Sequence, residues 1–445
     1  MRARRVLAAS LAACVLAALA STAYAQPANS AAPAVDFSLS GFGTLGLAKS
    51  DRSYRYQRFV DDGGTLKRDS IIGLQLDAKL GAEFSATLQA KLAAPSHRDD
   101  GVRASIAWGF VSWRPNNDWL LRAGKFRIPL YLHSETQDVG TTFDTATLPV
   151  EVYSQSPTND FTGLSASRSW NTATGELVLD AYWGRANTHI RANGRHDLSA
   201  IFGPAFPKLP VFLHVKVQVG GLALTLRRDE DVFRAALTHA RLESGTPLLF
   251  VDKYPFVGIP GLSGVGYYDT LDGIAAGRVP LQPRITVPVA MLGVDIAGPL
   301  GARVTAEYGR RIVKQTTGFD SKGAYVSVRR RWGDWTPYVT MAMLRSTDGD
   351  RAEFAAVNAQ RVPAFVPQAA SINLLQEAGA DGIQIFDQTS LALGFSYRVS
   401  PTSMLKAEWQ RVRVGQTSAL IDPPPGVLVH HQRINLMSLS YSLVF

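Results

Sequence analysis

Apolar and polar residues alternate along most of this chain after its first 34 residues. From Ile72 to Leu80 the even positions are apolar and the odd positions are mostly polar, and Phe84–Leu92 repeats this pattern. Successive side chains of a β-strand point to opposite faces, so each segment predicts a strand with one apolar and one polar face. The chain ends in the same way, because serines alternate with apolar residues between Met437 and Leu443.

Sixteen strands are predicted in this way. They are Val35–Leu47, Ile72–Leu80, Phe84–Leu92, Val102–Trp113, Trp119–Ile128, Thr162–Ser169, Leu177–Asn187, Val215–Arg227, Val232–Leu242, Val289–Ala297, Ala302–Val313, Ala324–Arg331, Pro337–Leu344, Ser390–Val399, Met404–Val412 and Ile434–Phe445. Short links such as Gly81 alternate with long ones such as Pro129–Phe161 and Arg345–Thr389. Short periplasmic turns that alternate with long external loops are typical of transmembrane β-barrels. We therefore expect an all-β antiparallel barrel as a single domain over residues 35–445.

The N-terminus predicts export. Three arginines among the first five residues precede an apolar run, and Ala23-Tyr24-Ala25 forms a small-x-small cleavage site. We expect a signal peptide over residues 1–25 and a flexible leader over residues 26–34. A lipobox ending at Cys14 is the alternative, but it would leave a very short apolar run before the cysteine.

Composition excludes several classes of function. Cys14 is the only cysteine, so a mature chain without the signal peptide has no disulfide, thiolate metal site or cysteine nucleophile. The net charge of +9 falls to +6 without the three signal arginines, which is too modest to indicate nucleic acid as a partner. The eight histidines lack metal-ligand spacing, and Gly41–Gly46 matches G-x-G-x-x-G inside a predicted strand rather than before a helix. We expect no enzyme activity, no metal and no cofactor.

Aromatic residues stand beside the predicted short turns. These are Trp113, Trp119, Trp170, Trp332 and Trp335. Indole rings favour the membrane–water interface, so the five predict a periplasmic aromatic girdle. Tyr441 and the terminal Phe445 lie on the apolar face of the last strand, which we expect to close the barrel. This terminus resembles that of Gram-negative outer-membrane barrels, which implies recognition by the barrel-assembly machinery.

The loop over residues 129–161 is acidic. It contains Glu135, Asp138, Asp144, Glu151 and Asp160, and no lysine or arginine. Its position as the third long loop, after Gly124-Lys125-Phe126-Arg127-Ile128-Pro129, resembles the Gram-negative porin superfamily, and most of all its phosphate-selective members. The resemblance implies that this loop folds into the lumen and narrows the pore, and that the protein is a homotrimer in the outer membrane.

The wall opposite this loop is expected to be basic. A charged side chain on the lipid face costs about 2–4 kcal/mol at the bilayer midplane, so strand charges should face the lumen. By strand phase this set contains Arg303, Glu307, Arg311, Arg329 and Arg331, with Lys79, Lys91, Arg234 and Lys406. Strand phase leaves Trp119–Ile128 ambiguous; the porin resemblance favours Lys125 and Arg127 facing inward, with Arg122 as the alternative.

These features predict a porin, which is a passive channel for small hydrophilic, possibly anionic, solutes in contact with outer-membrane lipid. Reversing the charges of Arg303, Arg311 and Arg329 together is expected to shift ion selectivity toward cations. The alternative is a non-conducting barrel that acts as an adhesin or surface anchor through its long loops. Short helices near Glu353–Ala356 and Ile372–Ala378 are expected in one of those loops. A soluble periplasmic β-sandwich conflicts with the alternation of loop lengths.

Overall fold

The structure is a computed structural model that describes residues 35–204, 208–245 and 250–445. The predicted signal peptide and leader lie outside these residues. Sixteen antiparallel strands form a closed barrel in which each strand pairs with its neighbours in sequence, and the last pairs with the first. The predicted fold class is confirmed, and all sixteen predicted strands are present.

The barrel strands are numbered here in chain order. They are β1 (Val35–Ser50), β2 (Ile71–Leu80), β3 (Phe84–Ala93), β4 (Arg103–Trp113), β5 (Trp119–Arg127), β6 (Asp160–Thr172), β7 (Gly175–Ala192), β8 (Val211–Arg228), β9 (Asp231–Ser244), β10 (Arg284–Ala297), β11 (Ala302–Arg311), β12 (Ser321–Arg330), β13 (Trp335–Ser346), β14 (Phe386–Ser400), β15 (Ser403–Ser418) and β16 (Arg433–Val444). Tight turns join them at one end, and we assign that end to the periplasm because the long loops all lie at the other.

The long loops carry short elements of their own. The helices are α1 (Val150–Tyr153), α2 (Ser199–Phe202), α3 (Leu271–Ala275), α4 (Asp348–Ala359) and α5 (Ala369–Gly382). The last two contain the predicted helical segments. Phe256–Gly258 and Gly266–Tyr268 form a small hairpin that the sequence did not predict. Within the described residues no helix has the length and hydropathy that a membrane crossing requires.

The strands differ in length, and this changes which face is apolar. β2 to β5 have 9–11 residues, which is enough to cross a membrane, whereas β7 and β8 each have 18. In the periplasmic half of β8, Leu222 and Leu224 are exposed on the outer face of the barrel. In its external half the polarity reverses, because Val215 and Val217 are buried inside while Lys216 is exposed outside. The external part of the long strands therefore has the polarity of a water-soluble β-protein.

Candidate pore constriction

The third loop, residues 128–159, lies across the interior of the barrel. The Lys406 ammonium on β15 donates to the carbonyl oxygens of Phe143 at 2.5 Å and Thr145 at 2.9 Å. On the opposite wall Glu307 accepts a hydrogen bond from the Leu132 amide at 2.8 Å, and Arg234 donates to the Tyr131 carbonyl oxygen. The loop is thus held from both sides of the lumen.

Three of the loop carboxylates face cations on the wall. Asp138 accepts from Lys91 at 2.7 Å and from Arg127, which is buried at the end of β5. Burial raises the pKa of Asp138, but the two cations outweigh it, so that the pKa lies below its usual value and the carboxylate stays ionised. Asp144 lies 3.1 Å from Arg329, and Glu135 lies 3.8 Å from Arg122.

The other two loop carboxylates do not meet a cation of the lumen. Glu151 is fully buried and accepts from Ser390 at 2.8 Å and from Gln388 at 3.0 Å. Burial raises its pKa, because no cation offsets the loss of water. The expectation that Asp160 borders the constriction is wrong, since it starts β6 with its carboxylate on the outer surface, 3.3 Å from Lys125.

The expectation that Lys125 faces the lumen is also wrong. Lys125 shares the outer face of β5 with Leu121 and Ala123, whereas Arg122 and Phe126 face inward. Strict alternation would also place Arg127 outside, but it ends the strand and its guanidinium contacts Asp138 in the lumen. The sequence leaves β5 ambiguous because cations occur on both of its faces.

The remaining predicted wall residues lie at different levels. Arg329 faces the loop and also contacts Asp295 at 2.8 Å. Arg303 lies near the periplasmic end, 3.1 Å from both Asp295 and Glu230. Arg311 is buried and donates to the Phe319 carbonyl oxygen at 2.7 Å. Arg331 is placed wrongly by the strand phase, because β12 ends before it and its side chain is exposed in a turn.

Two spaces of unequal size lie beside the third loop inside the barrel. The space against β10 to β13 has a volume of only about 80 Å³ and contains Arg329 and Asp144. The space against β1 to β3 and β5 has a volume of about 370 Å³. Its wall has five cations and two carboxylates, which are Arg58, Lys67, Arg68, Lys91, Arg127, Asp69 and Asp138. We call this larger space the basic passage.

Three of these cations were missed at the sequence level. Arg58, Lys67 and Arg68 belong to the first loop, residues 51–70, which also folds inward. Arg68 holds Asp69 at 2.7 Å and Arg58 holds Asp99 at 2.5 Å, whereas Lys67 donates only to the Asp99 carbonyl oxygen at 3.0 Å. The loop has five basic and four acidic residues, so its composition gives little signal, and strand phase assigns no direction to a loop residue.

Apolar side chains fill the rest of the interior beside the third loop. Ile128, Leu130 and Val152 of the loop pack against inward residues of β5 to β12, which include Val217 and Met291. These side chains occupy one half of the barrel and leave the basic passage in the other half.

The external loops also pack together over the barrel. Tyr254 and Ile274 in the loop after β9 pack against Phe354 and Val357 of α4. Arg195 in the loop after β7 is buried and pairs with Asp381 of α5 at 2.7 Å. These contacts make the external side a compact layer.

The predicted girdle tryptophans all lie at the periplasmic end. Trp113, Trp119, Trp332 and Trp335 are exposed, and the Arg168 guanidinium stacks 5.2 Å from the Trp119 ring and 4.8 Å from the Trp170 ring. At the seam, the backbone of Phe445 pairs with Gly41 through hydrogen bonds of 2.8 and 3.0 Å. Tyr441 pairs with Leu45, so the last strand closes the barrel as predicted.

A closed sixteen-stranded barrel with an interior third loop is the fold of outer-membrane porins. OprB of Pseudomonas putida is similar, with a TM-score of 0.51, 9% identity and coverage of 92% of this chain and 94% of that one. DcaP of Acinetobacter baumannii has a TM-score of 0.49 at 11% identity (95% and 100% covered), and an anion-selective porin from Comamonas acidovorans has 0.48 at 10% (93% and 100%).

The similarity to OprB concerns the fold alone. The apolar residues exposed on the outer face of the strands, such as Leu76, Leu88 and Leu237, form an apolar belt that agrees with a location in the outer membrane. No protein-family model matches the chain, and no curated protein matches its sequence. The described residues contain no group of three His, Cys, Asp or Glu side chains that could hold a metal ion.

Proposed function

We propose that this protein is a porin that lets small hydrophilic solutes diffuse across the outer membrane and favours anions. The observation that carries the proposal is the basic passage, whose five cations and two carboxylates leave a formal charge of +3. Several like charges around a narrow space of low dielectric add to a field that attracts the opposite charge. The anionic third loop does not cancel this field, because its Asp138 is shared between two wall cations.

A charge reversal at one cation tests this proposal. Lys67 has no carboxylate partner among the described residues, and Lys322 is an exposed lysine on the outer face of β12. In planar bilayers under a KCl gradient, the wild-type protein is expected to show a reversal potential of anion-selective sign. Lys67→Glu should move this potential toward cation selectivity, and Lys322→Glu should leave it unchanged.

The size of the shift follows from Coulomb's law. Reversing one charge about 7 Å from a permeating ion changes its energy by about 1.2 kcal/mol even at the dielectric constant of water. This corresponds to a change of several-fold in the permeability ratio at low salt. Equal reversal potentials for Lys67→Glu and the wild-type protein would contradict the basic passage as the conduction path.

A non-conducting surface barrel is the second candidate, and one observation favours it. The external loops form a packed layer around Tyr254 and Phe354, and apolar side chains fill half of the lumen. The same bilayer recording separates the two functions. Folded protein that inserts and shows no conductance steps would favour the surface role.

We further propose a homotrimer whose contacts involve β1 to β3 and β16. β2 and β3 have only ten residues each, so the barrel wall is short on this side. Leu76 of β2, Leu88 of β3 and Met437 of β16 are exposed on its outer face. Chemical cross-linking in detergent should yield trimers.

We also propose that the barrel-assembly machinery recognises the terminal Phe445. Deletion of Phe445 should therefore reduce the yield of folded protein in cells.

A further inference from the structure

The outer surface of β5 to β10 carries a row of charges directly above the apolar belt. Backbone pairing aligns Lys125 with Thr162, Thr162 with Arg185, Arg185 with Gln218, and Gln218 with Arg241. Lys216 and Arg284 lie one step further out and face Glu243. All of these residues line one open recess of about 810 Å³, so the charges act on a single volume.

Cations outnumber anions in this recess. Lys125 is offset by Asp160 at 3.3 Å, and Arg284 by Glu243 at 3.2 Å. Arg185, Lys216 and Arg241 are exposed and have neither an ion pair nor a side-chain hydrogen bond to any residue within 35–204, 208–245 and 250–445. Three guanidinium or ammonium groups are therefore free to bind an external anion.

A second recess, of about 620 Å³, lies on the periplasmic side of the first on the outer surface of β3 to β8. Leu164 and Trp183 stand at its external end, and Phe84, Trp113 and Leu222 are level with one another at its periplasmic end. Trp183 and Arg185 are successive outward residues of β7, so the apolar recess begins about 7 Å from the row of cations. The two recesses form one amphipathic surface with its charged end toward the external loops.

We propose that this surface binds a lipid whose headgroup carries phosphates, with the phosphates on Arg185, Lys216 and Arg241 and an acyl chain in the apolar recess. Guanidinium groups donate hydrogen bonds to phosphate in a bidentate fashion, and an apolar recess at bilayer depth accepts a hydrocarbon chain rather than water. The external position of the cations assigns the lipid to the outer leaflet. The inference requires the barrel to lie in the membrane but does not depend on conduction, so either can fail without the other.

The test uses delipidated full-length protein in detergent and the diphosphorylated glycolipid lipid A as the probe. Native mass spectrometry measures the fraction of protein with bound lipid. Arg185→Gln, Lys216→Gln and Arg241→Gln combined should weaken binding at least tenfold. Arg114→Gln, Arg228→Gln and Arg330→Gln combined remove the same charge from exposed positions near the periplasmic turns and should leave binding unchanged. Migration of unheated samples on gels checks that both variants are folded.

Two further arms separate the contributions of the headgroup and the chain. Lipid A without its phosphates should bind at least tenfold more weakly, and millimolar inorganic phosphate should not displace lipid A. Ala166→Phe fills the apolar recess and should also weaken binding. The proposal is overturned if the triple variant at Arg185, Lys216 and Arg241 binds like the wild-type protein, if phosphate alone displaces the lipid, or if Ala166→Phe changes only the oligomeric state.

Discussion

Asp138 gives the sharpest test of how the third loop sets the charge of the pore. Its carboxylate lies between Lys91, at 2.7 Å, and Arg127. Asp138→Asn keeps the size and hydrogen-bonding capacity of the side chain but removes its charge. The formal charge of the basic passage then rises from +3 to +4, so the variant is expected to be more anion-selective than the wild-type protein.

The magnitude depends on the dielectric constant of the passage. Removing one charge about 7 Å from a permeating ion changes its energy by about 0.6 kcal/mol in bulk water and by about 2.4 kcal/mol at an effective dielectric constant of 20. Since 1.4 kcal/mol is a factor of ten, the permeability to the anion should rise between about threefold and about fifty-fold, and the permeability to the cation should fall by a similar factor. The increase should shrink at 1 M salt, where the Debye length is only about 3 Å.

Reversal potentials in planar bilayers at 0.1 M and 1 M KCl measure this effect. Asp160→Asn is the matched control, because Asp160 follows the same loop but lies on the outer surface beside Lys125. It should leave selectivity unchanged. Identical reversal potentials for Asp138→Asn and Asp160→Asn at low salt would refute the reasoning, and a shift that persists at 1 M KCl would indicate a change in pore size instead.

Three further predictions follow from contacts of the loops. A Cβ atom at Gly323 would lie 2.0 Å from the Glu151 carbonyl oxygen, so Gly323→Ala should displace the third loop and change single-channel conductance. Burial raises the pKa of Glu151 above its ordinary value of 4.5, so protonation of this side chain stabilises the folded state, and this stabilisation is lost as the pH rises through the folded-state pKa. Glu151→Gln stays neutral at every pH, so it should raise the melting temperature at pH 8 and not at pH 4. Asp381→Ala leaves the buried Arg195 unpaired, which costs about 3–5 kcal/mol, and should make α5 sensitive to protease, whereas Asp348→Ala at an exposed site should not.

The sequence predicts the strands and their order well because one physical rule governs the membrane-spanning part. Lipid accepts only apolar side chains on the outer face, so the alternation in segments such as Phe84–Leu92 is strict. The alternation of short and long connections then indicates which end of the barrel faces the periplasm and which faces the exterior. The helices near Glu353 and Ile372 were also predicted, and both lie in the one long loop between β13 and β14.

The same rule fails where strands extend beyond the bilayer. The porin resemblance predicted that Lys125 faces the lumen, and Asp160 was predicted to belong to the third loop, whereas a strand charge on the outer face is costly only in lipid. Both lie at the external ends of their strands, Lys125 in the row that contains Arg185 and Gln218 and Asp160 one step further out, where the outer face meets headgroups and water. The cost therefore does not apply, and strand phase alone cannot find this boundary in a single sequence.

The contents of the lumen were the least predictable part of the site. Placing Arg58 and Lys67 in the basic passage needs the path of the first loop, which depends on packing of Tyr56 and Val60 against β15 and β16. Such contacts join residues more than 350 positions apart, as Tyr56 and Ile421 show. No local pattern encodes them.

Apolar packing in one half of the lumen also stabilises the third loop. Ile128, Leu130 and Val152 of the third loop are each at most 2% exposed. Burying an aliphatic side chain of this size contributes about 1.5–3 kcal/mol, more than most solvent-accessible ion pairs supply. Packing on the side of β6 to β12 therefore helps to hold the third loop in place from the side opposite the ion pairs of Asp138. Lys67 has no carboxylate partner among the described residues, so its substitution should report on selectivity, whereas Asp138→Asn also weakens the pairing of the buried Arg127 and needs a check of folding by the migration of unheated samples on gels.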